Sequence, residues 1–258
     1  DKVFAALSEN YKVKFQPELN ILNACNYGVP QIRRRVIILG VRKDLSYTPE
    51  EMYASIKKTN YDPEMTEEQR KGLKKYVTVE DAISELPFLR EGQGEKAIDF
   101  KSKRNNEFLQ TIIPENFDKL YDHICRHHNA TDVQRYTEMA KNHWTFKELL
   151  EKRPDLRHTP PRVFGNSYVV QWWDLPSKTI IAHLYKDGNQ FIHPDYKQGR
   201  TLTVREAARL QSFPDDFVFE GSRTDQYKQI GNAVPPLLGL AIAKCMKEKF
   251  KELYGEAK

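Results

Sequence analysis

Hydrophobic residues near the start of the chain follow two patterns that predict strands. In YKVKFQPELNI, Tyr11, Val13 and Phe15 alternate with polar residues, and this period of two is typical of a β-strand. Residues 36–41 form an apolar run interrupted only by a glycine, which is typical of a strand covered on both faces. We expect these two strands to pair antiparallel across residues 19–30, with a turn at residues 28–30.

Capping-box spacings predict two helix starts. Thr78 precedes Asp81 by three residues and Thr203 precedes Glu206 by the same interval, with a proline further on that should end each helix. A third helix is expected to begin near residues 232–236, because prolines are tolerated in a first turn. The apolar residues that recur there at helical spacing are Leu238, Ile242, Cys245 or Met246, Phe250 and Leu253.

The middle of the chain carries weaker signals. Residues 90–106 are rich in Gly, Lys, Arg and Asn and predict a loop, whereas residues 108–150 favour helix. The Pro-rich residues 153–167 should be irregular. Short β-type runs follow at residues 168–173 and 179–185, separated by turn residues.

The composition is that of a soluble globular chain. Of its 258 residues, 39% are hydrophobic and 30% are charged, and the formal net charge is +5. This mild basic excess permits a polyanionic partner without establishing one. No apolar run approaches the roughly 18 residues of a membrane span, so we expect no membrane partner. The three cysteines, Cys25, Cys125 and Cys245, are too scattered for a disulfide framework and favour a reducing interior.

The stretch QIRRR at residues 31–35 carries the first candidate chemistry. Side chains alternate along a strand, so Gln31, Arg33 and Arg35 should share one face and Arg34 should occupy the other. Two guanidinium groups and an amide on one face could hold a phosphate or a carbonyl oxygen. A solvated basic strand end that pairs with carboxylates is the alternative, and the pattern alone favours it.

Two more stretches near the C-terminus suggest a framework and a turn. RTLTVREAARLQSFPDDF, residues 200–217, predicts a short capped framework helix with Arg205 and Arg209 four residues apart on one side. GNAVPP, residues 231–236, predicts a tight turn into a helix N-terminus, where a ligand can approach the backbone closely. Neither stretch identifies a function by itself.

Together these stretches resemble the DNA cytosine-5 methyltransferase family. YGVPQIRRRVIILGVR is similar to motif VIII of that family, RTLTVREAARLQSFPD to motif IX and YKQIGNAVPP to motif X, and they occur in the family's order. VTVEDAISELPFL and PSKTIIAHLYKDGNQFIHPDY also resemble family segments, so the resemblance extends over essentially the whole chain. It implies an α/β fold: the C-terminal portion of a Rossmann-like methyltransferase domain, comprising a strand hairpin and the final helix, with an inserted mixed α+β target recognition domain.

The resemblance also implies a division into domains. Residues 1–44 and 231–258 would belong to the catalytic domain, residues 45–198 to the target recognition domain, and residues 199–230 to motif IX and the hinge. Basic residues of the recognition domain would contact phosphates and base edges. The candidates for these contacts are Lys101, Lys103, Arg104, Arg157, Arg162, Lys178 and Lys186.

Members of this family flip a cytosine out of the duplex and transfer a methyl group to it from S-adenosylmethionine. Their Pro-Cys nucleophile, their Glu-Asn-Val motif and their Phe-x-Gly-x-Gly cofactor turn precede motif VIII, and none of them occurs in this sequence. Gly92 and Gly94 lie in the wrong place for the cofactor turn and indicate a linker. Because the chain also begins with Asp1 rather than Met, we expect the back half of a methyltransferase, inactive alone, as a subunit or a fragment.

The resemblance assigns roles to individual residues. Arg35 would contact the flipped cytosine or its flanking phosphate in a supporting catalytic role, and Arg33 would contact the DNA backbone or belong to the framework. Thr179 would meet a phosphate near the flipped base. Asn232 and Ala233 would complete the wall of the S-adenosylmethionine pocket. The residues expected to fix the recognition domain to the hinge are Glu206, Arg209 and Gln211.

The run HICRHH, residues 123–128, has the composition of a metal site but lacks a second pair of ligands. We therefore predict no metal and a polar helix whose histidines face solvent or DNA. The expected partners are double-stranded DNA and a complementary N-terminal half. Residues 36–41 and the helix face of Leu238, Ile242 and Phe250 should be exposed without that half, which favours its binding or self-association. A cytoplasmic, nucleoid-associated location in a bacterium is expected.

Two other functions stay open. A non-catalytic DNA-binding or regulatory module descended from such an enzyme would carry the same motifs. An interaction protein whose Arg-rich strand binds protein carboxylates would lack affinity for DNA even at low salt. Phosphate contacts instead predict DNA binding that weakens steeply as the salt concentration rises.

Overall fold

The computed structural model describes residues 2–158, 168–186 and 188–255, which form short helices and three two-stranded sheets. The α-helices are α1 (Lys2–Ser8), α2 (Pro17–Asn20), α3 (Pro49–Ser55), α4 (Glu67–Arg70), α5 (Val79–Ile83), α6 (Glu107–Ile112), α7 (Ala130–Asn142), α8 (Phe146–Lys152), α9 (Val204–Leu210), α10 (Arg223–Asn232) and α11 (Pro236–Tyr254). The strands are β1 (Tyr11–Lys12), β2 (Ile21–Asn23), β3 (Arg34–Val36), β4 (Val41–Arg42), β5 (Gly94–Asp99) and β6 (Lys119–Ile124). Arg162 and most of the segment predicted to be irregular lie outside the described residues.

The first four strands form two antiparallel pairs, β2 with β3 and β1 with β4. The antiparallel pairing predicted across residues 19–30 is therefore confirmed. The strands are shorter than predicted, because the apolar run at residues 36–41 is divided between β3 and β4. Val36 is 51% exposed and Ile38 is 37% exposed, so the expected cover on both faces is wrong for this chain. A two-stranded pair has no neighbouring strands to cover its edges.

A second hairpin contradicts two predictions from the sequence. Strand β5 lies in the segment expected to be a loop, and it pairs antiparallel with β6, which lies where helix was expected. Gly94 begins a strand and is not part of a linker. Its φ is +107°, and a Cβ there would lie 2.2 Å from the carbonyl oxygen of His123. Because β5 is exposed and rich in charge, no alternating apolar pattern marks it.

The segment that precedes motif IX forms no strand in its described part, contrary to the prediction for residues 168–173 and 179–185. Isolated bridges replace a ladder there, with Val170 beside Ile192 and Ser177 beside Gln31. Residues Ala182–Tyr185 form a 3-10 turn. The apolar side chains of this segment are buried against helices, which explains their β-like composition without a strand.

The helix predictions at the capping boxes are confirmed. The Thr78 side chain accepts a hydrogen bond from the backbone of Asp81 at the start of α5, and Thr203 accepts one from Glu206 at the start of α9. The final helix is also confirmed as α11. It begins at Pro236, within the predicted range of residues 232–236, and Asn232 is the last residue of α10. The two helices meet at residues 233–235.

Buried apolar residues form three clusters that position these elements. The largest contains α9 and α10 and also the buried sides of α5, α6 and β6. A second surrounds α7 and α8. The third joins the first hairpin, α3 and α11 through Leu22, Tyr53 and Leu238. The helix α3 thus packs with the hairpin and α11, although it follows residue 44.

Helix α11 buries one side and exposes another. Leu238 and Cys245 are buried, and Ile242 is half-buried. The prediction that Leu238 is exposed without the complementary half is therefore wrong. Met246, Phe250 and Tyr254 are exposed at 42%, 59% and 65% and lie four residues apart along the helix. We call these three residues the exposed stripe. None of the helices in the described ranges is both long and apolar enough to cross a membrane.

Candidate functional site

Three buried polar side chains connect the stretches singled out in the sequence. Gln31 and Arg33 lie just before β3 and are 0% and 3% exposed. Gln211 directly follows α9 and is 0% exposed. Their hydrogen bonds reach residues 230–233 at the end of α10 and also Ile180. Ile180 lies in residues 168–185, which only the resemblance assigns to target recognition and which we call the recognition segment. We call the cluster of Gln31, Arg33 and Gln211 the junction.

Arg33 binds backbone carbonyl oxygens from two distant segments. Its Nη1 donates to the carbonyl of Ile180 at 2.6 Å, and its Nη2 donates to those of Gly231 at 2.9 Å and Ala233 at 3.1 Å. Burial, followed by the nearby charge of Arg35, lowers the pKa of Arg33 to about 10, so its guanidinium stays protonated near neutral pH. Of the two roles that the sequence left open for Arg33, these contacts support the framework role.

The two glutamines of the junction join further segments. Gln31 Nε2 donates to the carbonyl of Leu210 at 3.0 Å, while Gln31 Oε1 accepts from the amide of Ile180 at 2.8 Å. Gln211 Nε2 donates to the carbonyls of Ile230 at 2.9 Å and of Ala233 at 3.1 Å. A carboxamide both donates and accepts, so each glutamine can connect several chain segments at once.

Helix α10 approaches the recognition segment closely at Gly231. A Cβ at this position would lie 2.2 Å from the amide nitrogen of Ala182 and 2.4 Å from the carbonyl carbon of Ile181. Those distances are shorter than any tolerated contact, so only glycine fits without movement of backbone. The glycine of GNAVPP is therefore required for packing against the recognition segment.

A buried ion pair begins motif IX. Arg200 and Glu206 are each 1% exposed, and both guanidinium Nη atoms donate to the carboxylate at 2.7 Å. His193 Nε2 lies 3.5 Å from the same carboxylate. Burial alone would raise the pKa of Glu206, but the charges of Arg200 and then His193 hold it well below its usual value. Glu206 is therefore a buried anion, and it also accepts the backbone amide of Thr203 at 2.8 Å.

Helix α9 itself contains two arginines that are fully buried, which the sequence did not predict. Arg209 donates to Asp215 at 2.6 Å and to Glu85 at 3.0 Å. Arg205 donates to the carbonyl of Tyr121 at 2.9 Å and lies 3.6 Å from Asp215. Both side chains are 0% exposed, so the helix is enclosed on all sides, as a framework element would be. Their four-residue spacing was visible, but it equally fits a solvated helix face.

The structure places the remaining predicted site residues at or near the surface around the junction. Arg35 is exposed, and its Nη1 donates to the carbonyl of Arg34 at 2.7 Å. Thr179 is half-buried, and its hydroxyl donates to the carbonyl of Ile32 at 2.7 Å. Asn232 is exposed and Ala233 is half-buried, at the helix end that Arg33 holds. Arg33 therefore connects the stretch that contains Arg35 to the turn that follows Asn232.

The histidine-rich run begins in strand β6 and continues as an irregular segment at residues 125–128, so the predicted polar helix is wrong. His123 is 2% exposed, and its ring nitrogens lie 3.1 Å from the Thr203 hydroxyl and 2.9 Å from the carbonyl of Pro87. His128 Nε2 accepts the amide of Thr201 at 3.3 Å. Across the described ranges, no group of three or more His, Cys, Asp or Glu side chains could hold a metal ion.

The buried histidines predict that stability falls in mild acid. Burial lowers the pKa of His128 to about 4, below the value near 6.5 expected in the unfolded chain. Between those values the unfolded chain binds a proton that the folded chain does not. Stability is therefore complete above about pH 6.5 and decreases towards pH 4, by at most about 1.4 kcal/mol per pH unit for this group.

The substitution His128→Gln should reduce this slope, measured as the free energy of urea unfolding at a series of pH values from 6.5 down to 4.5. The matched control is His183→Gln, which removes an exposed imidazole. An unchanged slope in His128→Gln would show that His128 does not remain neutral in the folded chain.

Comparison with known families identifies the class of protein that this junction defines. A sequence model of the family described as C-5 cytosine-specific DNA methylase matches residues 3–248. The chain therefore belongs to this family.

Individual relatives support the same class. The chain is 35% identical to the type II methyltransferase M.Bpa9945I of Bacillus paralicheniformis over 240 residues, which cover 89% of this chain and 50% of that protein. It is 31% identical over 245 residues to M.DdeI of Desulfomicrobium norvegicum, covering 90% of this chain and 54% of that protein. The chain thus spans about half the length of these curated relatives.

The fold is also similar to a solved structure. An E. coli prophage-encoded protein, assigned as a DNA modification methyltransferase, superposes with a TM-score of 0.63 at 22% sequence identity. The match covers 97% of this chain and 64% of that protein. At this identity the similarity shows the α/β methyltransferase fold.

Proposed function

We propose that this chain recognises DNA and completes the active site of a DNA (cytosine-5) methyltransferase. The enzyme would transfer a methyl group from S-adenosylmethionine to carbon 5 of a flipped cytosine at a specific sequence. The junction carries this proposal, because it holds the strand of Arg35, the segment of Thr179 and the turn of Asn232 at one place.

The chain would act as the C-terminal half and would be inactive without a complementary polypeptide. The Pro-Cys nucleophile that the family uses does not occur in residues 1–258, and the chain spans about half the length of its curated relatives. In this proposal residues 1–44 and 231–258 belong to the catalytic domain, 45–198 to the recognition domain and 199–230 to the hinge.

Arg35 and Thr179 are proposed to face the DNA around the flipped base. Arg35 is exposed, and the neighbouring buried charge of Arg33 adds to the positive field at this edge. The Thr179 hydroxyl donates to the carbonyl of Ile32, which fixes it beside the strand of Arg35. To donate to a phosphate, this hydroxyl would exchange its carbonyl partner for a phosphate oxygen.

Asn232 and Ala233 are proposed to form one wall of the S-adenosylmethionine pocket. The carboxamide of Asn232 is exposed and makes no hydrogen bond within the described ranges, so its donors and acceptor are open to a polar ligand. Ala233 presents a small side chain beside it, and its carbonyl is held by the junction. These residues fit one side of the cofactor, which would supply the methyl group.

The exposed stripe is proposed to pack against the complementary half. The β2–β3 hairpin also carries exposed apolar side chains, because Ile21 is 40% exposed and Val36 is 51% exposed. Apolar surfaces of this kind mark interaction sites. A complementary polypeptide of about equal length is our proposed partner, because the chain spans about half the length of its curated relatives. Self-association through the same surface is the alternative.

Reconstitution tests the proposed function. The isolated chain should transfer no radiolabelled methyl group from S-adenosylmethionine to double-stranded DNA, and adding a polypeptide with the Pro-Cys and Phe-x-Gly-x-Gly motifs should restore transfer. Phe250→Ser should weaken the association of the two polypeptides about tenfold or more, because it removes a large apolar contact. Transfer by this chain alone would refute the proposal, whereas DNA binding without transfer in any mixture would support a non-catalytic module.

The control for Phe250→Ser is Phe88→Ser, which removes an exposed aromatic ring from the recognition region. Phe88 is 49% exposed, similar to the 59% of Phe250. Both variants should keep the unfolding free energy of the parent chain within about 1 kcal/mol, because neither ring is buried. Equal loss of association in the two variants would contradict the assignment of the stripe.

Arg35→Ala should weaken DNA binding and lower its dependence on salt. Loss of one phosphate contact is expected to reduce the slope of log K against log salt by about one. The matched control is Arg42→Ala, because Arg42 is an exposed arginine of the β1–β4 pair that forms an ion pair with Asp44 at 2.7 Å. Fluorescence anisotropy with a labelled duplex at several salt concentrations measures both quantities, and an equal slope in the two variants would contradict the role of Arg35.

A further inference from the structure

A cavity of about 420 Å³ lies between two parts of the molecule, and none of the three junction residues lines it. The first part is β1–β4 with α3 and α11, which we call the hairpin unit. The second is residues 74–111 of the proposed recognition domain, which we call the recognition region. One side is formed by α11 and the Ala24–Tyr27 turn, and the other by α6 and the segment before α5. Its apolar walls are Tyr27, Val77, Phe108, Leu237, Leu240 and Ala241. Clefts between structural units, with apolar walls and a few polar groups, are where small ligands usually bind.

Most of the hydroxyl groups around the cavity already have partners. Ser55 donates to the carbonyl of Glu51 at 2.8 Å, and Thr111 donates to that of Glu107 at 2.8 Å. Thr59 donates to Asn60 Oδ1 at 2.7 Å. These groups are therefore satisfied without a ligand.

Three hydrogen-bond donors of the lining lack such partners. Tyr27 is 5% exposed, and its hydroxyl makes no hydrogen bond within the described ranges. Burial raises the pKa of Tyr27 to about 12, so the hydroxyl keeps its proton. The ammonium groups of Lys57 and Lys244 likewise form no hydrogen bond or ion pair with described residues. The hydroxyl oxygen of Tyr27 is accessible to solvent where this residue lines the cavity, so a ligand can reach it.

All three of these groups can donate a hydrogen bond, and two of them are cations. Among the other charged groups of the lining, Lys74 pairs with Glu107 at 2.6 Å, and Glu248 is the one further carboxylate. These groups together therefore carry a single negative charge. Such an arrangement favours a ligand that accepts hydrogen bonds and carries a negative charge, joined to an apolar body that fills the space between Phe108 and Leu237.

We propose that this cavity binds a small aromatic carboxylate, with its ring between the apolar walls and its carboxylate on Tyr27, Lys57 and Lys244. The ligand would touch both the hairpin unit and the recognition region and would stabilise their relative position. The site is separate from the proposed DNA and cofactor contacts, so it does not depend on the proposed function.

The test uses 2-naphthoate as the probe, with binding to the whole chain measured by isothermal titration calorimetry. The parent chain should bind 2-naphthoate saturably, and the uncharged 2-naphthamide should bind about tenfold more weakly because it lacks the charge. Lys244→Glu should weaken naphthoate binding about tenfold or more, and Tyr27→Phe about fivefold through loss of one hydrogen bond. Circular dichroism confirms that each variant is folded.

The matched control is Lys247→Glu, which makes the same charge change on an exposed part of α11 outside the cavity. It should change naphthoate affinity by less than about twofold, since the charge is screened by solvent. Equal effects of Lys244→Glu and Lys247→Glu, equal binding of naphthamide, or no saturable binding at millimolar probe would each overturn the proposal. Loss of binding in Phe250→Ser would also overturn it, because that result would place the probe on the exposed stripe.

Discussion

Gly231→Ala is expected to lower the free energy of unfolding by about 3 kcal/mol or more. A methyl group at this position would lie 2.2 Å from the backbone nitrogen of Ala182, and backbone cannot rotate away as a side chain can. Relief requires α10 to move away from the recognition segment, which would lengthen the hydrogen bonds from Arg33 to Gly231 and Ala233. Overpacking in a core usually costs about 1–3 kcal/mol, and a clash with backbone lies at the upper end or beyond. Urea unfolding followed by circular dichroism measures the change.

The chain offers a matched control for this substitution in the next helix. Gly239 lies within α11, and a Cβ there would have no heavy atom within 4 Å. Gly239→Ala should therefore leave stability unchanged or raise it by about 0.5–1 kcal/mol, because alanine favours helix over glycine. If the two variants unfold at the same urea concentration, the close approach at Gly231 is not a determinant of stability.

Glu206→Gln is expected to destabilise the chain by about 3–5 kcal/mol. The substitution keeps the size of the side chain but leaves the buried guanidinium of Arg200 without its anion. Removing one partner of a buried pair leaves a buried charge uncompensated, which costs far more than the loss of a surface ion pair. The helix cap at Thr203 would also lose its charged acceptor.

Two further variants separate the ion pair from the general effect of losing a carboxylate. Glu220→Gln changes an exposed glutamate just beyond motif IX and should shift the unfolding free energy by less than about 0.5 kcal/mol. The double variant Arg200→Gln with Glu206→Gln should be more stable than the sum of the two single losses predicts, because the partners act as a unit. A loss below about 1 kcal/mol in Glu206→Gln would contradict a dominant role for this pair.

Local signals in the sequence predicted part of the fold well. The capping boxes at Thr78 and Thr203 and the apolar repeat of α11 depend on residues three or four apart, and each was confirmed. Strand β5 was missed because both of its faces are largely exposed, so its residues carry no alternation to detect. The segment around Ile180 was mistaken for strand because burial against helices selects the same β-branched residues as a sheet does.

The candidate site was predictable only as far as its motifs were. The resemblance brought Arg33, Gln211 and Ala233 into one hypothesis, but their actual partners could not be inferred from spacing. Gln31 binds the carbonyl of Leu210 across 179 positions of the chain, and Arg33 binds Ala233 across 200. Whether an arginine meets solvent or a distant carbonyl depends on the tertiary fold. For the same reason, the burial of Arg205 could not be predicted from the sequence.

The junction holds the neighbouring chain segments through their main-chain carbonyl oxygens, which determines how freely the sequence of those segments can change. Arg33 contacts the carbonyls of Ile180 and Ala233, and a carbonyl is present whatever side chain a position carries. The anchor therefore depends on the path of the neighbouring segment and is largely indifferent to its composition. A segment of different sequence would be held equally well if its backbone followed the same path, so the residues around Ile180 can be replaced without loss of these hydrogen bonds.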